Sequence, residues 1–299
     1  MAPISWGSTY LVTSEFLPPN TPILDAVLRS LPAGLILLAV VRRLPTGSWW
    51  WKAPVLGILN IGAFFALLFI AAYLLPGGVA ATIGAVQPLI VAALASRLVG
   101  EKFTRRRAIA GAAGVAGVAL LVLQAEARLD ALGVVAALGG TCSMALGVVL
   151  SKKWGQPASP LATTSWQLVC GAIFLVPVLF FVEGLPAHPL SLVNVSGFAY
   201  LSVIGTALAY TLWFRGIHRL PVGSTAFLGL LSPVVAVTLG WAFLHQVFTP
   251  GQMLGIGIIL VSLVSIFVSV RPARAYEPST LPPVTRTDVA ASPRRRARR

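Results

Sequence analysis

The chain has 299 residues, of which 57% are hydrophobic and 10% charged, with a mean hydropathy of +0.87. Soluble domains carry roughly 25% charged residues, so this composition excludes a water-soluble enzyme or binding module. The net charge of +14 does not indicate a nucleic-acid partner, because eight of the 22 basic residues follow Val270 and most others sit in short turns between apolar runs.

Ten apolar segments follow one another at 1–16, 24–41, 53–74, 79–98, 108–123, 131–150, 163–182, 198–214, 222–244 and 251–270. No Asp, Glu, Lys or Arg occurs at 53–96, 154–182 or 220–270, as expected of membrane spans. Proline and glycine punctuate the turns, in LPPNTP at 17–22, LPTG at 44–47, LPGG at 75–78, QPASP at 156–160 and LPAHP at 185–189. The first segment is short. Sixteen residues reach about 24 Å, against a hydrocarbon core of roughly 30 Å, and its abrupt beginning predicts a span that starts upstream of Met1.

Basic residues set the orientation. With the N-terminus inside, the inner turns and tail hold 20 of the 22, among them Arg42, Arg43, Lys52, Arg97, Lys102, Arg105, Arg106, Arg107, Lys152, Lys153, Arg215 and Arg219. Outer turns hold Arg128, and Arg29 lies within a span. This asymmetry predicts an even number of spans in the cell's inner (plasma) membrane, with both termini cytoplasmic. The tail at 271–299, rich in Pro, Ser, Thr and Arg, is read as disordered and apt to rest on anionic headgroups.

One stretch occurs twice. PGGVAATIGAVQPLIVAALASRLVGEKFT at 76–104 and PVGSTAFLGLLSPVVAVTLGWAFLHQVFT at 221–249 align without a gap and share eight residues, including Gly84/Gly229 and Pro88/Pro233. A mid-span proline removes a backbone donor and breaks the helix. In lipid such a break survives only where protein or a water-filled cavity satisfies the freed backbone. Paired breaks in corresponding halves therefore point to a site near the midplane. Glycines recur at 111, 114 and 117, and at 251, 255 and 257. These two spans are read as packing or dimerisation surfaces, a homodimer being one use of them.

Ionisable groups inside spans are functional candidates by default. Arg29 would bind a substrate carboxylate at the outer mouth; alternatively Asp25 and Arg29, at i and i+4, pair and fix the first two helices. Glu15 and Asp25 are the candidates for proton coupling. Gln87, before Pro88, and Ser232, before Pro233, stand beside the breaks, where a polar side chain serves either a ligand or the freed backbone. Trp6, Tyr10, Trp166 and Gln167 lie deep enough to line a cavity. Tyr210 and Trp213 fall late in their span, where lining and interfacial anchoring both suit them, and Trp49, Trp50 and Trp51 read as anchors. Cys142 and Cys170 read as small core residues, and His188, His218 and His245 as solvated turn residues; none has metal spacing. There is no phosphate-binding Gly-Lys-Ser loop, nucleophile elbow or HExxH, so neither ATP drive, an enzyme nor a cofactor is called for.

ISWGSTYLV at 4–12, LRSLPAGLILL at 28–38 and GVAATIGAVQPLIVAALASRLVGEKFTRRRAIAGAAGVAGVALLVL at 78–123 resemble the drug/metabolite transporter superfamily, EamA type, and the resemblance runs nearly to Val270. It implies an all-α fold of ten transmembrane helices as two inverted five-helix repeats, 1–125 and 131–270. It also implies a transporter that exports small metabolites, amino acids or drugs. One departure is that His245–Gln246 stands where the first repeat has Gly100–Glu101. The expected function is secondary transport by alternating access, with a small-molecule substrate and the lipid bilayer as partners. The alternative is a non-transporting scaffold or sensor acting through its basic tail.

Overall fold

The computed structural model describes residues 1–19, 21–75, 77–122, 130–186, 189–244 and 249–268. The tail, His188 and the His245–Gln246 turn lie outside them. The described residues form helices and no strands, in the order α1 (Ala2–Phe16), α2 (Pro22–Val41), α3 (Trp49–Gly57), α4 (Ala63–Leu74), α5 (Gly77–Gly84), α6 (Gln87–Leu98), α7 (Arg105–Val122), α8 (Ala131–Trp154), α9 (Pro160–Val178), α10 (Leu192–Ser202), α11 (Ala209–Arg219), α12 (Val222–Thr225), α13 (Leu231–Leu244) and α14 (Pro250–Phe267). Seven of the described helical stretches are long and apolar enough to cross a membrane.

Side-chain caps start several helices. Asp130 Oδ1 accepts from Gly133 N at 2.8 Å before α8, and Ser159 caps α9 ahead of Pro160. Ser191 with Asn194 and Thr249 with Gln252 form capping boxes on α10 and α14.

The rods are not all regular. Widened π turns at Ile58–Gly62, Leu179–Glu183 and Val203–Leu208 link α3 to α4, extend α9, and link α10 to α11. The predicted segment at 198–214 is thus a longer rod, Leu192–Arg219. Proline breaks are compensated by neighbours: Pro32 cannot donate to the Leu28 carbonyl one turn back, and the Ser202 hydroxyl of α10 donates to that carbonyl instead, at 2.8 Å.

Both repeated stretches interrupt at the same place. α5 ends at Gly84, and Gln87 and Pro88 open α6; a 3-10 turn at Ala226–Leu230 precedes α13, with Pro233 in its first turn. Each proline therefore sits where a helix tolerates it, just after the break rather than at its centre. α6 packs on α12 and on the 3-10 turn, while α13 packs on α1.

Glycines permit the closest crossings. Gly57 and Gly171 bring α3 and α9 into backbone contact: a Cβ on Gly57 would stand 2.6 Å from the Gln167 carbonyl oxygen. Gly117 and Gly255 do the same for α7 and α14, which run antiparallel. These glycines thus serve packing within one chain.

Candidate functional site

α1, α2, α4 and the α10–α11 rod converge on the main apolar core. The π turn at Val203–Leu208 is the centre of this meeting. A widened turn disturbs the i→i−4 ladder, and two of its carbonyls accept from α1: Ile204 O from Ser5 Oγ at 3.1 Å, and Gly205 O from Trp6 Nε1 at 3.2 Å. The same turn presents the Thr206 hydroxyl to Arg29 Nε at 3.2 Å. The Arg29 guanidinium also lies over the Phe65 ring, 5.1 Å from its centroid.

Three aromatic side chains complete the group. The Trp6 ring centroid is 5.2 Å from that of Tyr210 and 5.1 Å from that of Trp213, both tilted towards edge-to-face. Tyr210 and Trp213 are 2% and 5% exposed, so they are core residues and not interfacial anchors. The Trp213 Nε1 donor is buried with no partner among the described residues.

Arg29 is buried, 9% exposed. Only its Nε has a hydrogen-bond acceptor among the described residues, and an arginine carries five donors. The ion pair with Asp25 offered by their i, i+4 spacing is not formed; the Asp25 Oδ1 accepts instead from Thr21 Oγ1 at 3.3 Å, near the start of α2. A cation at this depth costs several kcal/mol unless matched by an anion. The arrangement therefore suits a ligand that brings an acidic group to Arg29 and apolar surface to the aromatic rings.

Other candidates fall elsewhere. Trp166 donates Nε1 to the Arg43 carbonyl at 2.7 Å and packs on Trp49, in a separate cluster with Leu56 and Ala162. Trp49 is thus buried against Trp166, while Trp50 and Trp51 are exposed as expected of anchors. Gln167 accepts from Asn60 Nδ2 at 2.8 Å, and Asn60 also reaches Ser151 at 3.4 Å. That buried network joins the first π turn to α8 and α9. Gln87 and Ser232 are partly buried at the openings of α6 and α13, Pro88 is buried, and Glu15 is exposed near the end of α1. The Tyr10 side chain lies outside the described residues. Cys142 is exposed, contrary to its reading as a core residue.

Two carboxylates that sequence reasoning did not single out as contacts close the ends of the molecule. Gly100, at φ 74°, turns the chain after α6. Glu101 then accepts from Val222 N at 2.6 Å and Gly223 N at 3.1 Å, at the start of α12. Arg107 lies 3.5 Å from the same carboxylate and donates to Ser224 Oγ at 3.2 Å. Nearby, Lys152 Nζ donates to the His218 and Leu220 carbonyls at 3.0 Å. At the other end of α9, Glu183 accepts from Ile23 N at 2.7 Å and Leu24 N at 3.1 Å, at the start of α2. Each carboxylate satisfies two orphan donors of a helix N-terminus. Each does so across the two sequence halves, in opposite senses. Glu183 had a sequence signal, being the acid that ends a charge-free run; Thr206 and Phe65 had none.

Comparison with known proteins gives one consistent result. The profile described as the EamA-like transporter family matches residues 1–123 and 131–268. The chain is 42% identical to Protein PecM of Dickeya dadantii over 285 residues, 93% of this chain and 95% of that one. It is 27% identical to the uncharacterized transporter YvbV of Bacillus subtilis, covering 87% of each. It is likewise 27% identical to the uncharacterized inner membrane transporter YedA of Escherichia coli K12, covering 87% of this chain and 86% of that one. A solved crystal structure shares the fold with a TM-score of 0.78 at 19% identity, over 89% of this chain and 94% of that one.

Proposed function

The chain belongs to the EamA-like transporter family, and from that membership we propose that it is a secondary transporter exporting a small metabolite, an amino acid or an amphipathic drug-like compound, by alternating access. The observation that carries this reading is Arg29: a buried guanidinium with no carboxylate at ion-pair distance among the described residues, held over Phe65 and on Thr206 of the same π turn whose Gly205 carbonyl accepts from Trp6 of the aromatic group. The substrate's acidic group meets Arg29, and its apolar part lies against the rings.

In this reading the chain forms ten spans as two inverted five-helix repeats, with both termini cytoplasmic. The sequence repeat, the interruptions just before Pro88 and Pro233, and the basic asymmetry of the turns support it. The reciprocal Glu101 and Glu183 contacts suit a machine in which one end opens while the other stays joined. Asp25, close to the Glu183 end, is the candidate proton carrier.

The test is flux from liposomes reconstituted with the full chain, screened with amino acids, other small carboxylates and amphipathic amines. The expected result is flux of at least one acid-bearing compound, reduced tenfold or more by Arg29→Gln. Transport confined to cations without an acidic group, and unchanged by Arg29→Gln, would remove the site assignment.

A further inference from the structure

Away from the Arg29 group, a groove of roughly 860 Å³ runs between α7 and α14. Its walls are apolar, with Ile109, Ala113, Leu254 and Val261 among them. Ile109, Leu254 and Val261 are 59%, 59% and 70% exposed, so nothing else in the described chain covers this face. Gly257 forms part of the lining, and a Cβ placed there would meet no atom within 4 Å. The serine hydroxyls of the lining are already engaged, Ser262 with the Ala110 carbonyl at 2.6 Å and Ser265 with the Ser262 carbonyl at 2.7 Å. The walls therefore invite hydrocarbon rather than a polar solute.

Arg105 and Arg106 stand at one end, both exposed. Glu101, the acid nearest in sequence, has its oxygens on the α12 backbone and on Arg107, so these two arginines are not neutralised by it. From Ser265, beside the arginines, to Met253 at the far end is twelve residues of α14, about 18 Å at 1.5 Å per residue. One leaflet of hydrocarbon is half of the roughly 30 Å core. The groove thus has the length of one acyl chain, with positive charge at the depth of a headgroup.

We propose that this groove binds an anionic phospholipid, one acyl chain lying between α7 and α14 and the negatively charged headgroup on Arg105 and Arg106. Basic pockets between spans favour such lipids, at about 1 kcal/mol per arginine near the surface; for two arginines this is roughly a thirtyfold preference over a zwitterionic lipid with the same chains.

The full chain, purified in mild detergent and stripped of lipid, is titrated with dioleoyl phosphatidylglycerol or dioleoyl phosphatidylcholine, and bound lipid is counted by native mass spectrometry. The proposal expects the anionic lipid to bind roughly thirtyfold tighter, a preference that shrinks in high salt. Arg105→Gln with Arg106→Gln should bring both lipids to equal affinity. Gly257→Leu, which fills open space and leaves the melting temperature unchanged, should cut binding of both lipids at least tenfold. Equal affinity of the two lipids for the unaltered protein would overturn it. So would full displacement by inorganic phosphate, or a dimer that takes the place of lipid and is lost in Gly257→Leu.

Discussion

Replacing Arg29 with methionine separates a role in binding from a role in folding. Two contacts would be lost. The Nε–H bond to Thr206 is a hydrogen bond from a charged donor, worth about 1.5–3 kcal/mol. The stacking over Phe65 adds about 0.5–2 kcal/mol. Against these stands the cost of holding a charge in the span, about 2.5–3.5 kcal/mol on insertion scales and several in a dry interior. Methionine keeps most of the volume and the apolar contact with Phe65. The terms cancel to within about 2 kcal/mol, so Arg29→Met should melt within a few degrees of the parent, followed by intrinsic tryptophan fluorescence. Reconstituted flux of an acid-bearing substrate should fall at least tenfold. A variant that melted ten degrees lower yet transported normally would make Arg29 a structural residue and refute the reasoning.

Further consequences are open to measurement. Glu101→Gln weakens the joint with α12 while keeping its shape; in a background with Cys142 and Cys170 replaced by Ser, a cysteine introduced by Thr225→Cys, buried in the parent, should react with a permeant maleimide about tenfold faster. Gly57→Ala forces a methyl against the Gln167 carbonyl and should destabilise by about 1–3 kcal/mol. Gly229→Ala meets open space and should stay within about 0.5 kcal/mol of the parent. Asn60→Ala and Gln167→Ala should each cost about 1–3 kcal/mol in a thermal melt by stranding the other amide. The double variant should cost less than their sum, and strict additivity would show that the 2.8 Å contact carries no coupling.

Much of the architecture was legible because lipid imposes one-dimensional rules: a span must be apolar, and its breaks need Pro or Gly. Those rules located the interruptions near Pro88 and Pro233 and the close crossings at Gly117 and Gly255. The candidate site was legible only in part. Arg29 and Trp6 could be named because a cation or an indole deep in a span needs a reason. Thr206, the partner of Arg29, could not, since a threonine in an apolar helix carries no such signal and its position depends on a π turn that no residue type announces. Trp166 and Gln167 looked equivalent to Trp6 by depth, and the fold places them apart from it, Trp166 on Arg43 and Trp49 and Gln167 on Asn60. Which face of a rod meets which neighbour is a three-dimensional fact. The Asp25–Arg29 spacing was a true i, i+4 pair; Thr21 took the carboxylate and Phe65 the guanidinium.

The widened turn at Val203–Leu208 has a consequence for how this chain tolerates change in length. Each residue of a helix advances the azimuth by about 100°. Removing one residue between 203 and 208 would let an ordinary α turn close there and leave the downstream azimuth nearly unchanged, whereas the same deletion in regular helix would swing everything beyond it. Tyr210 and Trp213 would keep their bearing towards Trp6, while the Ile204 and Gly205 carbonyls that face α1 would be re-tied along the rod. The extra residue therefore frees two carbonyls for α1 without changing the aim of the aromatic group, in a segment where every side chain is small or aliphatic.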